Sequence, residues 1–306
     1  MSELATKLRS AIDQVLLGKE TAVELAVTTL LAGGHLLIED HPGVGKTLLA
    51  KSLAKALDLP FQRLQCTADL LPADVLGAQV YHPHSGEITF RPGPVFTSVL
   101  LADELNRTPP RTQSALLECM AERTVTVDRQ TLALPEPFFV VATQNPVTAT
   151  GAYPLPENQL DRFLMRIRLG YPDPRSEAAI VAREDGHRAA AEVRPVATRE
   201  QLLAARASVD AIRMSAELTA HLVELAGRTR RSGDALLGVS PRGAQALHRA
   251  CRARAVVHGR DYVVPDDVRC LLLPVWAHRL TLRGGADAAT GEALLLELLA
   301  QAPLPE

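Results

Sequence analysis

This chain of 306 residues has almost no net charge, no closely spaced pair of cysteines and no long apolar run. Its 33 lysines and arginines nearly balance its 35 aspartates and glutamates, and the resulting net charge of −2 predicts no general attraction to nucleic acid or anionic membranes. No apolar run approaches the roughly 18–20 residues that a membrane-spanning helix needs, and the charged N-terminus does not resemble a signal peptide. We therefore expect a cytoplasmic protein without a membrane span.

The four cysteines form no C-x-x-C pair, which argues against a zinc site or a disulfide framework. Cys66, Cys119, Cys251 and Cys270 all lie within apolar segments. The sequence therefore predicts four buried thiols in a reducing compartment.

Short apolar runs alternate with helical patterns through the first part of the chain. The runs lie at 35–39, 61–66, 98–104, 138–145 and 163–171. Segments with helical spacing separate several of them, such as "KTLLAKSLAKAL" (46–57) and "PRTQSALLECMAER" (110–123). Buried strands that alternate with helices are typical of a parallel sheet covered on both faces. We predict an α/β domain over residues 1–190 and, from its Ala/Leu/Arg-rich helical pattern, a small all-helical domain over 191–306.

Two segments of the first domain alternate polar and apolar residues instead. One covers residues 79–96 around Ser85–Gly86, and the other covers 124–138 around Asp128–Arg129–Gln130. Alternation around a turn signal is typical of a β-hairpin. We therefore predict two hairpins inserted into the α/β domain.

The stretch "EDHPGVGKT" (39–47) nearly matches the phosphate-binding pattern G-x-x-x-x-G-K-[ST], but Asp40 stands where the first glycine is usual. An apolar run precedes it and a helical pattern follows, as such a loop requires. The two glycines allow backbone amides to face a phosphate, Lys46 can reach the β- and γ-phosphates, and the Thr47 hydroxyl can bind Mg²⁺. The alternative is that the glycines only shape a tight turn from strand to helix.

The segment "VLLADE" (99–104) ends a predicted buried strand with Asp103 and Glu104. A carboxylate at the end of a strand beside a phosphate loop can hold Mg²⁺ through water, and the next carboxylate can polarise the attacking water. Two acids after a strand also occur as ordinary solvated side chains. Their combination with the upstream loop favours a nucleotide-hydrolysing site in which Asp40 is a tolerated variation.

Three further polar residues are candidates for the same chemistry. Asn145 ends another predicted strand, where it suits orienting a water or contacting the γ-phosphate, although an Asn before Pro is also typical of a turn. Arg162 suits stabilising transferred phosphate charge in a neighbouring subunit, or else pairs with Asp161 or Glu157. Arg242 lies in the first turn of a predicted helix, where a cation is unfavourable against the helix dipole. We therefore expect Arg242 to contact a group outside that helix, such as a phosphate.

Together these segments resemble the MoxR-type AAA+ ATPases. The resemblance runs from about Leu17 to about Arg279 and is most specific in "LLADELNRTPPRTQSALLECMAERTVTV" (100–127). An acidic residue in place of the first loop glycine is usual in that family. The resemblance implies that the hairpins are the helix-2 insert and the pre-sensor-1 insert. It further implies the Walker A residues Lys46 and Thr47, the Walker B residues Asp103 and Glu104, sensor 1 at Asn145, the arginine finger at Arg162 and sensor 2 at Arg242.

The resemblance also implies a site for ATP and Mg²⁺ in a cleft between the two domains. The implied ATP-binding residues are Leu17, Gly18, His41, Pro42, Gly43, Val44, Gly45, Lys46, Thr47, Leu48, Asp103 and Arg242. Thr47 and Asp103 would be the metal ligands, and the implied catalytic residues are Lys46, Glu104, Asn145, Arg162 and Arg242.

For partners, the resemblance implies a self-assembled ring, expected to be a hexamer, and a protein with a von Willebrand factor A domain. The implied role is chaperone-like remodelling or maturation of protein complexes, with no nucleic acid. A magnesium-chelatase-like motor subunit, which shares the inserts, remains an alternative. A nucleic-acid-acting AAA+ motor is a further alternative, although the G-A-F-T-G-A loop of the transcription activators is absent. Glu104, Asn145 and Arg162 argue against a scaffold that binds nucleotide without hydrolysing it.

Overall fold

The computed structural model describes residues 2–127, 130–145, 152–182, 189–285 and 288–302. Its strands are β1 Leu36–Glu39, β2 Phe61–Gln65, β3 Gly77–His82, β4 Glu87–Pro92, β5 Val99–Asp103, β6 Thr124–Val127, β7 Gln130–Ala133, β8 Phe139–Gln144, β9 Met165–Ile167, β10 Ala235–Leu237 and β11 Thr281–Leu282.

The α-helices of the first part of the chain are α1 Ser2–Asp13, α2 Glu20–Leu31, α3 Lys46–Ala56, α4 Pro72–Leu76, α5 Pro110–Glu122, α6 Glu157–Leu160, α7 Pro174–Val181 and α8 Ala189–Glu192. Those that follow are α9 Arg199–Val209, α10 Ala216–Arg231, α11 Pro241–Val257, α12 Pro265–Trp276 and α13 Ala288–Gln301. Short 3₁₀ turns cover Leu105–Arg107, Ala277–Arg279 and Arg283–Gly285.

Five parallel strands form the central sheet in the order β2-β5-β8-β1-β9. Each of the five apolar runs recognised in the sequence supplies one of these strands. Because all five run in the same direction, their carboxyl ends lie at one edge, which brings together the segments after β1, β5 and β8. The predicted α/β fold with a parallel sheet is confirmed.

Both faces of the sheet are covered by apolar layers. Leu36, Ile38 and Leu101 belong to the layer that contains α1, α2 and α3, whereas Leu37 and Leu100 belong to the layer that contains α5. Successive side chains of a strand point to opposite faces, so neighbouring residues enter different layers. The uniformly apolar strands follow from this burial on both sides.

The two hairpins predicted from alternation are present as β3–β4 and β6–β7, each an antiparallel pair. The first turns at Gly86, whose φ of +71° suits glycine. In the second, residues 128–129 lie outside the described residues. Tyr81 and Ile88 face each other across β3–β4 and are 60% and 62% exposed, so this hairpin stands out from the core.

Beyond α8 the chain is helical, but the expectation of an all-helical second domain is wrong in one respect. β10 and β11 form a small antiparallel pair. Each strand has only two or three residues and they lie far apart in sequence, too short for alternation to reveal them. The helices after α8 share one apolar cluster with α1 and α2. This cluster includes the fully buried Trp276, whose indole Nε1 donates a hydrogen bond to the Gly243 carbonyl at 2.9 Å.

The cysteines differ from the expectation in one case. Cys66, Cys119 and Cys251 are buried, and burial raises the pKa of Cys66 to about 11 and that of Cys119 to about 12. Cys270 is exposed, because it lies on the outer side of α12, so the prediction of four buried thiols is wrong there. Within the described residues, no helix combines the length and the apolar character needed to cross a bilayer.

Candidate functional site

The loop between β1 and α3 is shaped by two glycines in the left-handed region. Gly43 has φ +84° and Gly45 has φ +101°, values that residues with a Cβ rarely adopt. A Cβ on Gly45 would lie 2.7 Å from the Leu16 Cδ1, whereas a Cβ on Gly43 would meet nothing within 4 Å. No side chain caps the N-terminus of α3. Unpaired amides at such a helix end can bind an anion, and the space that a Cβ on Gly43 would enter is open to a ligand.

Asp40, at the first position of the loop, anchors the loop to the segment that follows β9. Its side chain is buried, and its Oδ2 accepts hydrogen bonds from the backbone amides of Leu169 at 2.7 Å and Gly170 at 2.6 Å. Its Oδ1 accepts from the amide of His41 at 2.8 Å. A glycine could not make these bonds. The acidic residue therefore replaces the conformational freedom of glycine with three charge-assisted bonds that fix the loop entry.

Lys46, the first residue of α3, is turned toward the loop entry. Its Nζ donates to the Asp40 carbonyl at 2.5 Å. Burial lowers the pKa of the Lys46 ammonium, and the nearby carboxylates of Asp40, Asp103 and Glu104 act in the opposite direction. The ammonium group thus lies close to Asp103 and Glu104 without an ion pair to either of them. Thr47, the next residue, lines the same cavity as Lys46.

Asp103 and Glu104 are linked through Thr143 of the neighbouring strand β8. The Thr143 hydroxyl donates to Asp103 Oδ1 at 2.7 Å and accepts the Glu104 backbone amide at 2.8 Å. Glu104 has the left-handed backbone angles φ 59° and ψ 49°, an uncommon conformation for a non-glycine residue that is found at functional sites. Its Oε2 accepts from Arg107 Nη1 at 2.9 Å. The carboxylate that the sequence assigned to water activation is thus oriented by both its backbone and an ion pair.

Arg63 on β2 contacts the other acid. Its Nε and Nη2 lie 3.2 and 2.7 Å from Asp103 Oδ2, and its Nη2 also donates to Gln65 Oε1 at 2.8 Å. Sequence analysis missed Arg63, Thr143 and Arg107. The available signal was weak: Arg63 is a charged residue inside a predicted strand, but its relevance depends on β2 lying beside β5.

Asn145 follows β8 and is buried at the same edge of the sheet. Asn106 Nδ2 donates to the Asn145 backbone carbonyl at 3.4 Å, which joins the segments after β5 and β8. Pro146, the turn residue of the alternative interpretation, lies outside the described residues. Asn145 therefore lies at the carboxyl edge of the sheet, together with Asp103 and Glu104.

These residues surround one cleft of about 770 Å³. The candidate residues that line it are Leu17, Pro42, Gly43, Val44, Gly45, Lys46, Thr47, Leu48, Asp103, Glu104 and Asn145. Gly18 instead lines a neighbouring cavity of about 420 Å³, which shares Lys19 and Tyr171 with the cleft. His41 lies at the rim, where its ring stacks on Tyr171 with centroids 6.1 Å apart. Apolar side chains that line the cleft include Leu17, Tyr171, Ile180 and Val181.

Arg162 lies away from this cleft, before β9 and therefore at the opposite edge of the sheet. Its Nη1 donates to the Leu117 carbonyl at 2.7 Å. The ion pairs considered for it do not occur among the described residues: Asp161 pairs with Arg279 at 2.7 Å, and Glu157 accepts a hydrogen bond from Thr281. The alternative in which Arg162 serves as the partner of Asp161 or Glu157 is therefore wrong.

Arg242 also lies at the far edge. It is exposed at the start of α11, and the following Gly243 packs against Arg279, since a Cβ on Gly243 would lie 3.0 Å from Arg279 Cδ. Within the described residues, every side chain that lines the cleft precedes residue 191. The expectation that the cleft lies between the two domains, with Arg242 in it, does not hold within one chain, because α11 packs on α1 and α2 rather than over the phosphate loop.

The chain is similar to proteins of one kind along most of its length. Residues 35–165 match the ATPase family associated with various cellular activities (AAA), and residues 227–298 match the AAA lid domain. The chain is 43% identical to uncharacterized protein YeaC of Bacillus subtilis, over 96% of this chain and 92% of that relative. It is 36% identical to Chaperone MoxR1 of Mycobacterium tuberculosis, over 96% and 81%. The crystal structure of a candidate ATPase from Cytophaga hutchinsonii matches it with a TM-score of 0.89 and 36% identity, over 99% of this chain and 96% of that one.

Proposed function

Because this chain belongs to the MoxR-type AAA+ ATPases, we propose that it hydrolyses ATP with Mg²⁺ in a ring and uses the cycle to remodel or mature protein complexes. The observation that carries the proposal is the convergence on one cleft of uncapped helix amides, the Lys46 ammonium and the carboxylates of Asp103 and Glu104. A phosphate ligand, a metal ligand and a base are the groups that phosphoryl transfer to water needs.

The residues present fit both nucleotide and metal. The open space before Gly43 and the free amides of α3 suit the phosphates, and Lys46 lies within the same cleft to offset their charge. The Thr47 hydroxyl and the Asp103 carboxylate are oxygen donors, the type that Mg²⁺ prefers, and Mg²⁺ usually takes few protein ligands beside substrate phosphates. When bound, Mg²⁺ would neutralise charge on the phosphate oxygens. The apolar side chains that line the cleft suit the base of the nucleotide.

Glu104 is proposed to accept the proton of the attacking water, with Asn145 orienting that water. Support comes from their common position at the carboxyl edge of the sheet and from the left-handed backbone of Glu104, which is fixed through Thr143. Asp103 is held by the same threonine, so the metal ligand and the base would keep a fixed spacing.

Arg162 and Arg242 are proposed to act on a neighbouring subunit. Both lie at the edge of the sheet opposite to the phosphate loop of their own chain, and both are adjacent to the Asp161–Arg279 pair. They can reach a terminal phosphate only if another chain presents its cleft to this edge. This requirement supports a closed ring, which we propose to be a hexamer with active sites between subunits.

The chaperone-like role is supported by the similarity to Chaperone MoxR1. A partner with a von Willebrand factor A domain, as the family resemblance implies, is part of the proposal, and so is the cytoplasmic location. A pull-down with Glu104→Gln in the presence of ATP is expected to retain the partner, because the variant would stay in its ATP-bound form. Recovery of nucleic acid instead of protein would favour a nucleic-acid motor.

The site itself is tested with two variants. Lys46→Ala is expected to lose ATP binding, because it removes a phosphate ligand, while Lys7→Ala, at an exposed position on α1, is expected to keep it. Glu104→Gln is expected to bind ATP but release phosphate about 10²–10⁴-fold more slowly, the usual effect of removing a general base. Glu122→Gln, an exposed change at the end of α5, is the control. Wild-type turnover in Glu104→Gln would refute its role.

A further inference from the structure

We infer that Arg63 holds Asp103 through an ion pair and competes with Mg²⁺ for the same carboxylate oxygen. The inference rests on the proposed function, since it assigns Asp103 to the metal. It makes Arg63 a positioning residue that sets how much Mg²⁺ the site requires. Nothing in the local motifs around the phosphate loop or the β5 acids indicates such a residue, because Arg63 comes from the edge strand β2.

The contacts leave neither Asp103 oxygen unoccupied. Oδ1 accepts from the Thr143 hydroxyl at 2.7 Å, and Oδ2 accepts two N–H groups of the Arg63 guanidinium, at 3.2 and 2.7 Å. Among the described residues Arg63 is the cation that forms an ion pair with Asp103, because the Lys46 ammonium is bonded to the loop entry instead. A metal that approaches Oδ2 therefore meets a positive group already in place.

Burial explains why Asp103 needs this partner. Its side chain is only 12% exposed, and a buried carboxylate without a compensating charge or hydrogen bonds is strongly unfavourable. Thr143 satisfies one oxygen, and Arg63 supplies the charge. When Mg²⁺ binds, it supplies the charge in place of Arg63, so the guanidinium is needed only while the site is empty.

The position of Arg63 allows it to leave. Its side chain is 48% exposed, in contrast to the buried acid, and β2 is an edge strand with β5 as its neighbour in the sheet. Gln65, opposite Asp103 in the register of these strands, accepts the Arg63 Nη2 at 2.8 Å. This bond gives the guanidinium a partner that it can keep when it gives up the carboxylate.

A different role for Arg63 predicts the opposite result. If the guanidinium were a phosphate ligand, its removal would weaken nucleotide binding whether or not metal is present. If it competes with Mg²⁺, its removal would reduce the Mg²⁺ concentration needed for tight binding and leave binding at saturating Mg²⁺ unchanged. The dependence of binding on Mg²⁺ therefore separates the two roles without any measurement of hydrolysis.

The experiment titrates the fluorescent nucleotide mant-ATP into the full chain, first in EDTA and then at increasing Mg²⁺. Arg63→Met keeps the length of the aliphatic stem but removes the charge. We expect the Mg²⁺ concentration at half-maximal tightening to fall about fivefold, the effect of an ion pair with one exposed partner. Arg63→Lys keeps the charge and is expected to shift less. Arg91→Met, an exposed arginine on β4, is expected to match the wild type.

Three outcomes would overturn the inference. Weaker binding of Arg63→Met than of the wild type at saturating Mg²⁺ would make Arg63 a phosphate ligand. An unchanged Mg²⁺ dependence in Arg63→Met, with the wild type still responding to Mg²⁺, would remove the competition but leave the proposed function intact. No binding of mant-ATP by the wild type at any Mg²⁺ concentration would defeat the proposed function, and the inference with it. If Arg63→Met does not fold, Arg63→Lys carries the same comparison, with a smaller fall expected and no fall counting against the inference.

Discussion

At the carboxyl-terminal edge of the five-stranded sheet, α3 begins without a side-chain cap and Gly43 faces open space. At the amino-terminal edge, the buried guanidinium of Arg279 donates to Asp161 Oδ1 and to the Phe163 carbonyl, both at 2.7 Å. The first edge keeps polar groups available to a ligand, whereas the second uses its polar groups within the fold. The helix end and loop at the first edge thus stay open, whereas the guanidinium of Arg279 at the second is satisfied within the fold.

The comparison is sharpest for two arginines at the amino-terminal edge. The Arg279 guanidinium donates hydrogen bonds to Asp161 and to the carbonyls of Phe163 and Leu164. Burial lowers the pKa of this guanidinium despite the opposing effect of Asp161. Arg162 is partly exposed and makes a hydrogen bond to the Leu117 carbonyl. Both belong to one edge, yet only Arg162 keeps donors that a neighbouring subunit can use. We therefore expect their removal to affect different properties.

The largest effect is expected for Arg162→Ala. If Arg162 acts on the terminal phosphate of a neighbour, hydrolysis should fall roughly 10³–10⁵-fold while ATP binding and stability persist. The measurement is steady-state phosphate release beside mant-ATP binding. Mixing Arg162→Ala with Glu104→Gln subunits should restore some activity, since a mixed interface can combine an intact Glu104 with an intact Arg162.

Arg213→Ala is the control for that experiment, because Arg213 is 76% exposed and pairs with Asp261 on the surface of the helical part. It should change neither turnover nor stability. Unchanged turnover in Arg162→Ala, or full specific activity in a monomer, would mean that the amino-terminal edge contributes nothing to catalysis.

The next effect concerns stability. Arg279→Met should reduce the free energy of unfolding by about 2–4 kcal/mol, because Asp161 and the buried carbonyls before β9 lose their donor. Urea denaturation measures the change, and Arg213→Met should lower stability by less than about 1 kcal/mol. An equally small loss in both variants would show that the amino-terminal edge is not held by its arginine.

Per pH unit, the smallest of the expected effects is the dependence of stability on pH at the start of β1. His35 is fully buried, its Nδ1 accepts the Val140 amide at 3.0 Å, and burial lowers its pKa to about 4. Because the unfolded histidine titrates near 6.5, the unfolded chain binds the proton first. Stability is therefore complete above pH ~6.5 and falls as the pH drops toward 4, by at most about 1.4 kcal/mol per pH unit.

The free energy of unfolding measured against pH tests this expectation. His35→Gln removes the titrating ring and should flatten the curve between pH 6.5 and 4, while His84→Gln, at the exposed tip of the β3–β4 hairpin, should not. An identical slope in the wild type and His35→Gln would place the acid sensitivity elsewhere in the protein.

Much of the fold was predictable because its signals are local. The apolar runs and helical patterns gave the five strands and the helices between them, and alternation gave both hairpins. The β10–β11 pair was missed, since its strands are two or three residues long and lie more than forty residues apart. The exposed Cys270 was missed because apolar neighbours in sequence do not fix the direction of a side chain on a helix.

The sequence by itself determined which polar groups lie at the carboxyl-terminal edge. The loop glycines, Lys46, Asp103 and Glu104 lie in short contiguous motifs, in which the order of residues already sets strand, loop and helix. The positions of these motifs in the fold follow from their places at strand ends, because the carboxyl ends of parallel strands meet at one edge of the sheet.

Only the tertiary structure decided which residues meet across strands. Strand order places Arg63 and Thr143 on either side of Asp103, and the packing of α11 on α1 and α2 carries Arg242 away from the cleft of its own chain. Such contacts join residues 40 or more positions apart, so no local pattern encodes them. They follow from the burial of apolar surface over the whole molecule, which fixes how the strands and helices pack and therefore which polar groups become neighbours.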